Sequence, residues 1–183
     1  MTVKSGLCPK NLKTFYGDLG GIKACRNLGG KPLLQKNYGL ANDCTLTCLA
    51  FIFGEKYYGD IERIAKTYGY DGEKNGTNPL TIKAIMSKVM KLAGVNGTAK
   101  SAYGKGIGYT WNTLKTLING KHYVILNLWD DGRNYYHDHS VTIVGYAEYA
   151  KNKFLLVYDN WSDGVSYIDF DKLSFICSIN FYT

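Results

Sequence analysis

Apolar residues along this chain recur first at helical spacing and later at strand spacing. Asn42 and Asp43 precede a run that starts at Cys44 and continues through Leu46, Leu49, Ala50, Phe51, Ile52 and Phe53. An Asn or Asp oxygen there can accept from an N–H that the first helical turn leaves unpaired, so the run predicts a buried helix beginning at or near Cys44. Tyr57, Ile61, Ile64, Ala65 and Tyr68 predict an amphipathic helix over 55–68, ending before the glycine-rich stretch 69–76. Pro79 is tolerated at a first helical position, Ile82, Ile85, Met86, Val89 and Ala93 share one face, and Gly94 is a stop. Trp111, Leu114, Leu117 and Ile118, between Thr110 and Gly120, predict a fourth, short helix.

After Gly120 the pattern changes. Residues 123–126, 141–144, 154–158, 165–170 and 175–182 are rich in β-branched and aromatic side chains and predict strands. Helices first and strands second, without βαβ alternation, predict an α+β fold with an N-terminal helical half and a C-terminal antiparallel sheet half. Residues 1–32 show little periodicity, with glycine pairs at 20–21 and 29–30 and Pro32, and are expected to wrap the domain as an irregular extension. At 183 residues, 45% of them hydrophobic, the chain fits one domain, 1–183, with a sizeable core.

Charge and cysteine usage narrow the classes. The formal charge of +7 is concentrated near the N-terminus, where Lys4, Lys10, Lys13, Lys23, Arg26, Lys31 and Lys36 face only Asp18 in the first 36 residues. Scattered lysines without a zinc-finger, phosphate-loop or RNA-binding pattern read as a solvated surface, so no nucleic-acid partner is expected. No apolar run has signal-peptide or membrane-spanning length, so no membrane insertion is expected. The five cysteines, at 8, 25, 44, 48 and 177, form no paired zinc knuckles, and an odd total leaves at least one thiol free. A Cys8–Cys25 bridge is open to an exported chain.

One combination of residues carries chemistry. A thiol attacks as thiolate, which a helix N-terminus and a neighbouring imidazolium both favour, and Cys44 meets the first condition. The three histidines, His122, His137 and His139, all lie in the sheet half. His139 opens HSVTIVGY and would project from a strand end, and its second ring nitrogen needs an acceptor. Asp159 ends the strand FLLVY, two residues before Trp161, and is the candidate orienting group.

These residues resemble the papain-like clan of cysteine peptidases. The order Cys, His, Asp, with DHSVTIVGY followed by FLLVYDNW, is similar to that clan, and CTLTCLAFIF and LKTLINGKHYVILNLW are similar to its bacteriocin-processing branch, over about residues 32–170. The resemblance implies a papain-like fold and a cysteine hydrolase, a peptidase, in which Cys44 is the nucleophile, His139 the base and Asp159 its orienter. It implies no cofactor, a peptide or protein substrate, a monomer, and by analogy secretion. The branch has a Gln six residues before the nucleophile, where this chain has Tyr38, so Gln35 becomes the candidate oxyanion amide, with Asn37 and Asn42 in reserve. Thr45 replaces the glycine that usually follows the nucleophile. A second frame resembles papain itself through Cys48-Leu49-Ala50-Phe51, with Asn42 as the oxyanion amide. Cys44 is preferred because a thiol one turn into a helix is usually buried and inert.

Other features read more plainly. His137 and His139 could form a metal pair, but no third ligand has suitable spacing, and His137 is expected at the cleft rim. His122 is expected at a surface or sheet edge. Trp111 and Trp129 are expected to pack in the core or at a sheet edge, and the glycines at 104, 106 and 108 to form a flexible connection. Acyl transfer to an amine instead of water, or a non-catalytic binding module, are the competing functions.

Overall fold

The longest strand, β5 (His139–Tyr149), organises the molecule. In the computed structural model, which describes residues 2–3, 19–39, 41–129, 136 and 138–183, β5 lies inside an eight-stranded antiparallel sheet. β4 (Val124–Leu128) flanks its first half, with Leu128 opposite His139, and β6 (Lys153–Tyr158) lies along the other side. Outward from β6 come β7 (Val165–Asp169) and β1 (Thr2–Val3). Beyond β4 come β8 (Ser178–Tyr182) and β3 (Ala99–Tyr103). Past Ile143, β2 (Ile22–Asn27) takes over from β4 as the partner of β5. The strands approach so closely there that a Cβ on Gly145 would stand 2.3 Å from the Arg26 carbonyl oxygen, which is why the strand needs a glycine at that point.

Four helices accompany the sheet among the described residues: α1 (Cys44–Phe53), α2 (Tyr58–Lys66), α3 (Ile82–Leu92) and α4 (Trp111–Asn119). α4 begins with a capping box in which the Thr110 hydroxyl accepts from the Thr113 N–H at 3.2 Å and the Thr113 hydroxyl from the Thr110 N–H at 3.1 Å. It packs Trp111, Leu114, Leu117 and Ile118 on one face of the sheet, against Val124, Leu126, Leu128, Val141 and Ile143. α1, α2 and α3 share a second core built from Leu46, Leu49, Ile61, Ile85, Met86 and Val89, which reaches the opposite sheet face through Ile125. Those two periodicities, alternate residues on strands and every third or fourth on helices, are the ones the sequence displays.

The expected mixture of helices and antiparallel strands is present, with corrections. Residues 1–32 are not all irregular, since β2 lies within them, and β3 was not expected. Neither IKACRN nor AKSAY is rich in β-branched residues, so their strand state comes from pairing with β5 and β8. Pro79 stands in a turn ahead of α3, not in its first helical position. Residues 104–108 form a hydrogen-bonded turn in place of a flexible connection: Lys105 N–H donates to the Phe175 carbonyl at 2.9 Å and Gly104 N–H to that of Cys177 at 3.2 Å. Cys25, on β2, is disulfide-bonded, Cys8 lies outside the described residues, and Cys44, Cys48 and Cys177 are free thiols. Among the described residues no helix is long and apolar enough to cross a membrane.

Candidate functional site

A cavity of about 620 Å³ lies between the helices and the sheet. Its floor and walls come from the start of α1 (Cys44, Thr45), the end of β4 (Asn127, Leu128, Trp129), the start of β5 (His139, Ser140), Trp161, Gln35, Asn42 and residues 74–79. Cys44 and His139, about a hundred residues apart in the chain, therefore face one space.

Cys44 is the first residue of α1. Its preceding residue, Asp43, occupies the cap position but makes no side-chain capping bond, a departure from the expected cap. The Asp43 carboxylate is buried, accepts from the Tyr58 hydroxyl, and burial pushes its pKa up. With no side chain over the helix start, the Cys44 N–H has no protein acceptor among the described residues. Cys44 itself is only half-buried, yet its sulfur is closely surrounded. Burial pushes the thiol pKa up, and hydrogen bonding to Ser140 and Thr45 only partly offsets this. The depressed thiol expected from the helix start is thus not what the resting site holds, because desolvation outweighs the N-terminal donors. No hydrogen bond joins Cys44 to His139. Cys48, one turn on, has 0% exposure, and burial raises its pKa to about 12.

His139 is buried against two aromatic rings, Trp161 at 4.3 Å and Tyr136 at 5.7 Å between centroids, which also contact each other at 5.4 Å. Its Nε2 donates to the main-chain carbonyl of Asp159 at 2.8 Å. A carbonyl can only accept, so Nε2 carries the proton in the neutral ring and Nδ1 keeps the basic lone pair. Burial holds the imidazole below its ordinary pKa, and the Asp159 carbonyl and charge act against that shift. The carboxylate of Asp159 does something other than expected. Its Oδ1 accepts from the N–H groups of Trp161 (3.0 Å) and Ser162 (2.9 Å), and its Oδ2 from the Ser166 hydroxyl (2.6 Å). Asp159 thus orients the His139 ring through its backbone, while its side chain folds the turn that brings Trp161 onto the ring.

Of the three candidate oxyanion amides, Gln35 and Asn42 line the cavity, and Asn37 is exposed on a 3-10 turn away from it. Gln35 is heavily engaged: Nε2 donates to the Ala41 carbonyl at 2.6 Å, and Oε1 accepts from Trp161 Nε1 at 3.3 Å. Asn42 makes one long bond, to the Gly72 carbonyl at 3.4 Å. Trp129, expected to pack at a core or sheet edge, lines the cavity and is 37% exposed, whereas Trp111 is in the core. His122 is partly exposed against Tyr182, and His137 lies outside the described residues. No group of three or more His, Cys, Asp or Glu among the described residues is placed to hold a metal ion.

Sequence reasoning overlooked a buried polar chain beneath the cavity. The Asn127 amide donates to Asn180 Oδ1 at 2.8 Å and to the Ser178 hydroxyl at 3.1 Å, leaving Oδ1 to accept from Ser140 at 2.9 Å. With its proton so used, Ser140 Oγ accepts from Thr45 Oγ1 at 2.9 Å. Asn180 continues the chain to Ser101 at 2.6 Å. The signal was in the sequence: an Asn inside VILNL and a Ser inside HSVTIV interrupt otherwise apolar strands. Compared with protein-family models and with curated protein sequences, this sequence has no match.

Proposed function

We propose that this protein is a papain-like cysteine hydrolase, a peptidase, with Cys44 as nucleophile and His139 as base. The observation that carries the reading is the tautomer: the Asp159 carbonyl commits Nε2 of His139 as a donor and reserves Nδ1 as the base, in a cavity shared with the thiol at the start of α1. Nδ1 takes the thiol proton as substrate enters, and the thiolate attacks the amide carbonyl carbon. The Cys44 N–H, and an amide from Gln35 or Asn42 once released from its present partner, stabilise the oxyanion. Nδ1–H then protonates the leaving amine as the C–N bond breaks, giving a thioester. Water, deprotonated by Nδ1, attacks the thioester, releases the acid and restores the thiol. Because the resting thiol is protonated, proton transfer to His139 belongs to the reaction itself and not to a standing ion pair.

A second reading, a non-catalytic binding module on the same fold, draws on the raised Cys44 pKa and the missing Cys44–His139 hydrogen bond. Labelling with an epoxysuccinate, followed by peptide mapping by mass spectrometry, separates the two. The hydrolase reading expects one adduct, on Cys44, that is lost in His139→Ala. Absence of any adduct at neutral pH would select the binding module.

A further inference from the structure

Asn160 stands where α1, β5 and the segment before α1 meet. It is 2% exposed, and its φ of 63° lies in the left-handed region, where a non-glycine residue is disfavoured and Asn is among the least penalised. Its carbonyl accepts from the Gln35 N–H at 2.8 Å. Its side-chain amide donates to the Ser140 carbonyl at 3.0 Å and the Cys44 carbonyl at 3.2 Å, and also lies 3.3 Å from Cys48 Sγ. An amide nitrogen has two protons, and carbonyls are the better acceptors, so the sulfur takes at most a share. Glycine would relieve the backbone at this position, so the side chain must return something for the strain.

We infer that Asn160 is a positioning residue. By bridging the carbonyls of Cys44 and Ser140, it fixes the first turn of α1 against the first residues of β5 and so sets how thiol and imidazole face each other. This rests on the Cys44–His139 reading above. The Cys48 thiol also donates to the Ser140 carbonyl, at 3.5 Å, but the amide is the group that donates to both carbonyls, so without it the helix start and the strand start separate or take up water. The same residue holds Gln35 through its backbone, so one position gathers nucleophile, base strand and cavity wall.

The test is the rate of Cys44 alkylation by iodoacetamide as a function of pH, located by peptide mapping, in the unmodified protein, Asn160→Gly and His139→Ala. Asn160→Gly keeps the left-handed backbone and removes only the amide. The expected result is a His139-dependent rate between about pH 6.5 and pH 8, where the ring is unprotonated and can take the thiol proton, and a loss of about tenfold or more in that range in Asn160→Gly. The profile of Asn160→Gly should approach that of His139→Ala while circular dichroism shows the native fold. A profile in Asn160→Gly equal to the unmodified one would overturn the inference and leave the cysteine–histidine reading standing. Identical profiles in the unmodified protein and His139→Ala would overturn both. If Asn160→Gly does not fold, Asn160→Asp, which keeps the shape but cannot donate to two carbonyls, is held to the same expectations.

Discussion

The two faces of the central sheet are made by the same strands and do different work. Under α4 every contributed residue of β4 and the first half of β5 is apolar: Val124, Leu126, Leu128, Val141 and Ile143. Under α1, beside Ile125, which joins the helical core, the alternate positions are Asn127 and Ser140, joined to Thr45 on the helix and to Asn180 on β8. Apolar packing is strong but indifferent to small rotations. Hydrogen bonds contribute less net free energy, about 1 kcal/mol each, but impose direction. The polar positions that aim the cavity residues are thus confined to one face, beside an apolar core of its own, while the other face is apolar throughout.

Substitutions can break this division, and the largest effect belongs to the polar side. Cys44→Ser and His139→Ala should each lower hydrolysis of a cleavable substrate by about a thousandfold or more. Cys44→Ser should leave thermal unfolding near its original midpoint, whereas His139→Ala, which strands the Asp159 carbonyl, should also lower it. A retained turnover in His139→Ala would remove the ring from the mechanism. On the apolar face, Leu126→Ala should cost about 2–5 kcal/mol in denaturant unfolding, because it opens a cavity under α4. The folded fraction should still alkylate Cys44 at the original rate. Asn127→Ala should cost less, about 1–3 kcal/mol, since it strands the partners of one side chain. Its slower alkylation of Cys44 would distinguish it from Leu126→Ala, and equal rates in both would end the division proposed here.

Smaller effects follow from titration and from the Asp159 turn. Burial lowers the His139 pKa, so the unfolded chain binds that proton more tightly than the folded one. The group's contribution to stability is therefore complete above the unfolded value, about 6.5, and is lost as pH falls below it toward the folded value. Melting temperatures at about pH 7 and about pH 5 should differ less in His139→Phe, which keeps a ring against Trp161 but does not titrate. The smallest change is expected for Asp159→Asn. The carbonyl that holds His139 is untouched, and an Asn oxygen can still accept from Trp161 and Ser162, so activity should fall by no more than about tenfold. Asp159→Ala, which frees the turn, should lose more.

Much of this was legible in the sequence. The start of α1 at Cys44 followed from the apolar run after Asn42 and Asp43, and the strand opened by His139 from its β-branched residues. The placement of both on one cavity is a property of the fold, which the order of elements only suggested. Less visible was anything decided by the backbone. No pattern tells whether Asp159 meets an imidazole through its carboxylate or its carbonyl, because the side-chain type is the same in both cases. Nor does composition announce β2 and β3, whose strand state is supplied by their neighbours, or a left-handed Asn160. Asn127 and Ser140 were visible as polar interruptions, but an interruption alone does not reveal its partner.

Cys25 and Cys44 place opposite redox demands on one chain. The surroundings that maintain the Cys25 bridge would also consume an exposed thiolate by exchange or oxidation. Thiol–disulfide exchange proceeds through the thiolate, so a sulfur held protonated at rest is slow to exchange. Burial of Cys44 lowers resting nucleophilicity and in return gives chemical durability. On the proposed reading, the Cys44 nucleophile is kept latent in the conditions that close the Cys25 bridge.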